Sequence, residues 1–132
     1  MCYLVFVPDI SKQIAHWRSG AAEDWDVAKD LVRRGRARHG LFFAHLALEK
    51  VLKAHVCRAT QDFAPRIHSL SRLSESTGLS VSPEQDEFLS VFDSHQIEGR
   101  YPELLQPLPT ESEIRAQIAA AEEMMTWLIE RF

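Results

Sequence analysis

The segment Leu41–Leu48 constrains the fold of this chain more than any other part of its sequence. Seven of its eight residues are apolar, so that in a helix they leave almost no face for water. Such a helix must be buried by neighbouring helices on several sides or at a subunit interface. We therefore predict a buried helix over about Arg38–Arg58, whose second half becomes amphipathic with Glu49 and Lys53 one turn apart.

A long helix is predicted to precede this one. It begins after Asp9, which suits an N-cap, and runs to about Arg34, where Gly35 supplies a stop. Its apolar residues recur at spacings of three, four and seven, which places them on one face. These residues are Ile14, Trp17, Ala21, Ala28 and Val32.

Three further helices are predicted in the C-terminal half. A short one covers roughly Ser69–Ser76, and the next begins at Ser82 and ends around Glu98–Gly99. The inner stripe of that helix is expected to be Phe88, Val91, Phe92 and His95. The last helix opens with a capping box at Thr110–Glu113. Its apolar seam consists of Ile114, Ile118, Ala121, Met125, Leu128 and Phe132.

These segments predict an all-α fold, an antiparallel bundle of four long helices plus one short helix. At 132 residues the chain suits a single domain over 1–132. Strand-like alternation is absent after the first few residues. Residues 1–8 are apolar but short, and we expect them to form a brief extended arm packed on the bundle or on a second subunit.

The charge of the chain argues against non-specific nucleic-acid binding. Its formal net charge is -4, whereas phosphate binding depends on Lys and Arg releasing counterions. Any RNA contact would need a local basic patch, and the sequence has one candidate. The favoured interpretation of this candidate patch is a solvated helix end, where cations offset the negative pole of the helix dipole. That candidate consists of Arg33, Arg34, Arg36 and Arg38.

The two cysteines, Cys2 and Cys57, have neither a metal-type spacing nor a disulfide framework. A reducing compartment fits this usage, so we expect a cytoplasmic protein. No segment reaches the length of a membrane span, and no membrane association is expected. The six histidines contain no HExxH pair, and the Gly-rich loop of a phosphate site is absent. We therefore predict neither a metal ion nor a cofactor.

Candidate site residues are polar side chains in otherwise apolar surroundings. His45 interrupts the apolar segment and shares a helix face with Glu49, and Lys53 follows one turn later. His68 stands at a helix entry, where it could cap the helix or face a groove. Because the Gly-rich loop of a phosphate site is absent, any nucleotide site must be built from side chains on helices.

Arg100 and Tyr101 follow the fourth predicted helix. Arg100 could bind phosphate, and Tyr101 could stack on a base. Equally, Arg100 could bond the last carbonyls of its helix while Tyr101 is a half-buried anchor. The two interpretations are even.

Several blocks of the sequence together resemble the HEPN family, the higher-eukaryote-and-prokaryote nucleotide-binding domains. They appear in the family's order between about Ile10 and Phe132. The blocks are Trp25–Leu31, Phe43–Ala54, Pro65–Leu70 and Arg100–Pro102. The resemblance implies a helical bundle that is usually a homodimer. It also implies one of two activities. The first is binding of a nucleotide or a partner protein, and the second is RNA cleavage.

The binding activity belongs to family members encoded beside minimal nucleotidyltransferases, in two-component systems of toxin–antitoxin type. The cleaving members are metal-independent ribonucleases with an Arg and a His separated by four to six residues. Arg38 and His45 have six residues between them and would share a helix face. In ribonuclease branches the motif usually belongs to a later helix. Here that later segment has His95 before Arg100, which argues against cleavage.

The leading hypothesis is a module, noncatalytic or weakly catalytic, that binds a nucleotide, a minimal nucleotidyltransferase partner, or both. Lys53 and Arg100 would contact phosphate, His45 and Glu49 would bond ribose or base, and Tyr101 would stack. His68 completes this set of ligand-binding residues. Two alternatives remain: a ribonuclease toxin with Arg38 and His45 as catalytic residues, and a structural interaction bundle without a ligand.

Overall fold

The computed structural model of the protein describes residues 9–96, 107 and 109–132. Over these residues the fold is all-helical, as predicted, and no strand occurs. The helices are α1 (Ile10–Arg33), α2 (Ala37–Thr60), α3 (Leu70–Glu75), α4 (Pro83–Phe92) and α5 (Glu111–Ile129). The arm predicted over residues 1–8 and the helix end predicted at Glu98–Gly99 lie outside the described residues.

Local capping signals account for most of the helix starts. The side chains of Asp9 and Ser69 each accept a hydrogen bond from the backbone N–H three residues further on. Ser82 and Gln85 form a reciprocal capping box, with the two bonds at 2.9 and 3.0 Å. Because the first amides of a helix have no partner within it, each of these bonds stabilises the helix start.

The capping box predicted at Thr110–Glu113 is only half formed. The Thr110 hydroxyl accepts from the Glu113 N–H at 3.2 Å, as expected. The Glu113 carboxylate, however, accepts from the Thr110 hydroxyl at 3.0 Å instead of from the Thr110 backbone N–H. The two side chains therefore satisfy each other, and the N-cap amide does not take part.

The predicted inner stripe of α4 is wrong at Val91. This side chain is 67% exposed, whereas Leu89 and Phe92 are buried. The helix also ends at Phe92 in a turn at Asp93, after which residues 94–96 are helical again. The reason is tertiary, because the Asp93 carboxylate bonds to groups at the start of α3 and thereby fixes the rotation of α4.

Consecutive long helices run in opposite directions, which confirms the antiparallel prediction. A turn at residues 34–36, with Gly35 in the left-handed region at φ +78, reverses the chain between α1 and α2. His95 Nε2 lies 2.7 Å from Gln117 Oε1, so that the chain leaving α4 meets the beginning of α5. Helices α1, α2, α4 and α5 therefore alternate in direction along the bundle.

Helix α2 is the centre of the bundle and is enclosed on all sides over Val51–Cys57, whereas Phe42, Phe43 and Leu46 in its first half are partly exposed. Every residue from Val51 to Cys57 is buried, including Lys53 and His55. The expectation that the second half of α2 is amphipathic was therefore wrong, because α1, α3 and α5 together cover its whole circumference. Within the described ranges, none of the helices combines the length and apolar character needed to cross a bilayer.

Helices α1 and α2 approach each other closely at Gly40. A Cβ at this position would lie 2.5 Å from Val32 Cγ2 and 3.0 Å from the backbone oxygen of Ala28. Contacts this short are not tolerated in a packed interior, so one backbone or side chain would have to move. The absence of a side chain at Gly40 is therefore what sets the spacing of the central hairpin.

The C-terminal end of the bundle is held by His55. Its Nε2–H donates to the Leu128 carbonyl at 2.7 Å, and its ring stacks on Phe132 at 3.8 Å between centroids. The Phe132 ring also receives the Arg18 guanidinium, 4.3 Å from the ring centroid. Burial lowers the pKa of His55 below 6.5, and the neighbouring arginines act in the same direction, while the bond to Leu128 opposes them. The imidazole is thus held neutral in the folded protein.

Replacing Gly40 by alanine tests the spacing of the hairpin. We expect Gly40→Ala to lower the free energy of unfolding by about 1–3 kcal/mol, the usual cost of overpacking. Urea denaturation monitored by circular dichroism measures this. Gly20→Ala in α1 is the matched control, because a Cβ there meets only side-chain atoms of Lys50, the nearest being Cδ at 3.1 Å, and alanine is the better helix former. Equal stability losses in the two variants would contradict the account.

The neutral state of His55 predicts a stability that depends on pH. Because its pKa is lower in the folded state, its contribution is complete above the unfolded value of 6.5 and is lost as pH falls through the lower folded pKa. Urea midpoints measured between pH 7.5 and pH 5 should therefore fall less steeply for His55→Gln than for the wild type. Parallel pH profiles for the two proteins would show that His55 is not the titrating group.

Candidate functional site

His45 is completely buried in α2, at 0% exposure, and is paired with an acid from another helix. Its Nε2 lies 2.9 Å from Asp93 Oδ1. Its Nδ1 has no hydrogen-bond partner and faces Glu49 Oε1 at 3.9 Å, one turn along α2. The prediction that His45 and Glu49 share a helix face is therefore confirmed, and both are directed inward.

Asp93, which the sequence analysis did not single out, joins three elements. Its Oδ1 accepts from His45 and from the Leu70 N–H at 2.8 Å, and its Oδ2 accepts from the Ser69 hydroxyl at 3.1 Å. Burial acts to raise the pKa of Asp93, but the bonds from His45, Leu70 and Ser69 outweigh it, and the pKa lies below its ordinary value. Asp93 is thus an ionised acceptor that ties α4 to α2 and to the start of α3.

Glu49 is a second buried acid and holds two basic groups. Its Oε2 lies 2.9 Å from Lys53 Nζ, and both side chains are almost inaccessible to water. His68, from the loop before α3, places its Nδ1 3.2 and 3.3 Å from the two Glu49 oxygens. The Lys53 ammonium also faces the ring of Trp17 on α1, 5.1 Å from the centroid. Glu49 is therefore enclosed by polar contacts from both of these basic side chains.

The structure brings four of the six predicted ligand-binding residues together and adds Asp93. We call this set, His45, Glu49, Lys53, His68 and Asp93, the polar cluster. It reaches the surface mainly at His68, whose side chain is 50% exposed, with a smaller contribution from Asp93 at 24%. The other three members are buried behind these two.

The remaining two predicted residues, Arg100 and Tyr101, lie outside the described residues. Their proposed roles in binding phosphate and stacking on a base stay predictions. Among residues 9–96 and 109–132, no three His, Cys, Asp or Glu side chains are grouped closely enough to hold a metal ion. The chemistry of the polar cluster is that of hydrogen bonding and charge pairing.

The predicted pair Arg38 and His45 has an unfavourable arrangement for catalysis. The two residues are seven positions apart on α2, which is roughly 10 Å along the helix axis. A general acid or base must come within hydrogen-bond reach of the substrate proton, and the His45 ring has no surface open to solvent. The ribonuclease hypothesis stays a prediction, but this geometry gives it no support.

The basic patch is exposed at Arg33, Arg34 and Arg36, as favoured from the sequence, whereas Arg38 is half-buried. The side chains of Arg33 and Arg34 are largely exposed, and both contact Asp30, at 3.7 and 3.1 Å. Surface pairs of this kind contribute little to stability. The patch stands at the turn between α1 and α2.

Comparison with known proteins identifies the domain type. A family model for the HEPN domain matches residues 14–132. The crystal structure of TT1696 from Thermus thermophilus superposes with a TM-score of 0.77 at 20% sequence identity, covering 91% of this chain and 98% of that one. ST0689, an archaeal HEPN homologue, gives a TM-score of 0.67 at 20% identity, with 89% and 96% covered. At this identity the two structures show a common fold. No curated protein matches the sequence.

Removing the Asp93 carboxylate tests its linking role. Asp93→Ala leaves His45 and the Leu70 N–H without their acceptor, and we expect the free energy of unfolding to fall by about 1–3 kcal/mol. Urea denaturation provides the measurement. Glu87→Ala is the matched control, an exposed acid on α4 six residues before Asp93, which should change stability by less than about 0.5 kcal/mol. If the two variants were equally stable, Asp93 would not be the link between the helices.

Proposed function

The chain belongs to the HEPN domain family, and on that premise we propose that it is a binding module rather than a nuclease. It would bind a nucleotide, a minimal nucleotidyltransferase partner, or both, in a two-component, toxin–antitoxin-like system. The observation that supports this best is His68, half exposed and held by the buried carboxylate of Glu49. A fixed basic side chain at the surface suits the recognition of an anionic ligand.

The geometry of His68 suggests how it would act. Because its Nδ1 donates to Glu49, its Nε2 is directed away from that bond and has no protein partner among the described residues. In the imidazolium form of the ring, Nε2 also carries a proton and can donate to a phosphate oxygen. A nucleotide phosphate would thereby receive a charge-assisted hydrogen bond.

The other members of the polar cluster would position His68 instead of contacting the ligand. Lys53 fixes the Glu49 carboxylate from behind, and Asp93 fixes the backbone at Leu70, two residues after His68. Direct contact of His45, Glu49 or Lys53 with phosphate or ribose, as predicted from the sequence, would require the cluster to open. Preorganisation of this kind improves affinity because little side-chain freedom is lost on binding.

A metal-independent ribonuclease is the first alternative. It would use the His as acid or base and the Arg to stabilise charge on the phosphorus centre. Because His45 is buried, RNA cannot reach its imidazole, and the ring cannot come within hydrogen-bond distance of a substrate proton. The binding module is therefore the better-supported proposal.

The second alternative is an interaction bundle without a ligand. In that case the chain would bind a nucleotidyltransferase, or form the expected homodimer, through its surface alone. Co-purification with a co-expressed minimal nucleotidyltransferase, combined with an absence of nucleotide binding, would favour it.

Nucleotide titration of three proteins tests the proposal. Isothermal calorimetry with the four ribonucleoside triphosphates should show saturable binding to the wild type by at least one of them. His68→Ala should weaken that binding at least tenfold, because it removes the contacting imidazole. His39→Ala is the matched control, an exposed histidine on the first turn of α2, and should bind like the wild type.

Two outcomes would reject the proposed site. Binding that is equally strong in His68→Ala would place the nucleotide elsewhere on the molecule. An absence of binding by all four triphosphates would reject free nucleotide as the ligand.

A further inference from the structure

A groove between α4 and α5 lies apart from the polar cluster, and no residue lines both. It has a volume of about 380 Å³. Its floor is apolar and consists of Phe88, Ala120, Met124 and Trp127. Glu84 and Glu123, both exposed, stand at its rim. The groove is thus an apolar channel with an acid on each of the two helices.

The spacing of the lining residues shows that the groove follows the helix axes. On α4, Glu84 and Phe88 are one turn apart, and Val91, 67% exposed, continues the same face by another turn. On α5, Ala120, Glu123 and Trp127 also recur at three and four. Two parallel rows of this kind form the usual seat of a third helix.

Val91 marks a difference between the sequence pattern and the fold. Its position in the apolar stripe of α4 predicted burial, yet its side chain faces solvent beyond the end of the groove floor. One exposed valine is ordinary on a protein surface. However, Val91 continues the face of α4 that carries Phe88, and it lengthens an apolar strip that the described residues 9–96 and 109–132 leave partly exposed.

The charge around this strip is predominantly acidic. The two acids that line the groove, Glu84 and Glu123, are both exposed. A cation, Arg131, lies at the end of α5 with its guanidinium 3.8 Å from the Trp127 ring centroid. That contact shows that the ring face accepts a guanidinium. A complementary ligand is therefore apolar on one face and cationic on its flanks.

We infer that the α4–α5 groove docks an amphipathic helix of a partner protein, with an apolar stripe flanked by Lys or Arg. The stripe would pack on Phe88, Met124 and Trp127, and the flanking cations would pair with Glu84 and Glu123. This is recognition of a helix in a groove, with charge setting the orientation. The inference does not depend on nucleotide binding, because it rests on a different surface.

The test uses a synthetic helix of known chemistry. A fluorescein-labelled 14-residue peptide of leucine and lysine, patterned LKKLLKL in two heptads, is titrated with the full chain and followed by anisotropy. We expect saturable binding, with amide shifts in a nitrogen–proton correlation spectrum concentrated at Phe88, Val91 and Trp127. The same peptide with glutamate in place of lysine should bind at least tenfold more weakly, because the rim is acidic.

Two paired variants distinguish docking from general charge attraction. Glu84→Gln combined with Glu123→Gln should weaken the lysine peptide at least fivefold. Glu23→Gln combined with Glu75→Gln removes the same charge from exposed positions that do not line the groove, and should leave binding unchanged. Equal weakening by both pairs, shifts that map outside α4 and α5, or no binding of the lysine peptide would each overturn the inference.

Discussion

The burial of ionisable side chains in α2 is the constraint on which the rest of the fold depends. A charged group removed from water is costly unless it is paired and hydrogen-bonded. His45 and Glu49 therefore require partners from elsewhere, and Asp93 and His68 supply them. Each contact fixes a second element, since Asp93 sets the end of α4 and the start of α3. Apolar contacts alone would leave these helices free to rotate about their axes. The polar contacts thus specify how the helices pack.

Features encoded by neighbouring residues were predictable from the sequence, and those that depend on distant partners were not. The helix starts at Asp9 and Ser82 follow from short capping motifs, and they are confirmed. The exposure of Val91 was missed, because the rotation of α4 is set by the bonds of Asp93 to α3. The apolar pattern of α4 does not predict the hydrogen bond between Asp93 and the Leu70 N–H, because the two residues are 23 positions apart in the chain.

The same distinction applies to the site. His45, Glu49 and Lys53 attract notice because they interrupt an apolar helix, and the structure places them in one network with His68. The burial of Glu49 and Lys53 was not predicted, because the second half of α2 was expected to keep a polar face and its burial depends on neighbouring helices. His45, placed in an apolar segment, needs a hydrogen-bond partner because buried polar groups are almost always paired. A search for that partner could have pointed to Asp93. Burial also changes the interpretation of the site, because the inaccessible groups can only support it and His68 becomes the proposed point of contact.

The proposed binding module requires that His45 is a structural residue and takes no part in RNA cleavage. The most direct test is incubation of the purified protein with a mixed RNA substrate in EDTA, beside His45→Gln and His68→Ala. The account predicts intact RNA in all three reactions, with a lower urea midpoint for His45→Gln because its bond to Asp93 is weakened. RNA cleavage by the wild type that disappears in His45→Gln would contradict it and identify a metal-independent ribonuclease.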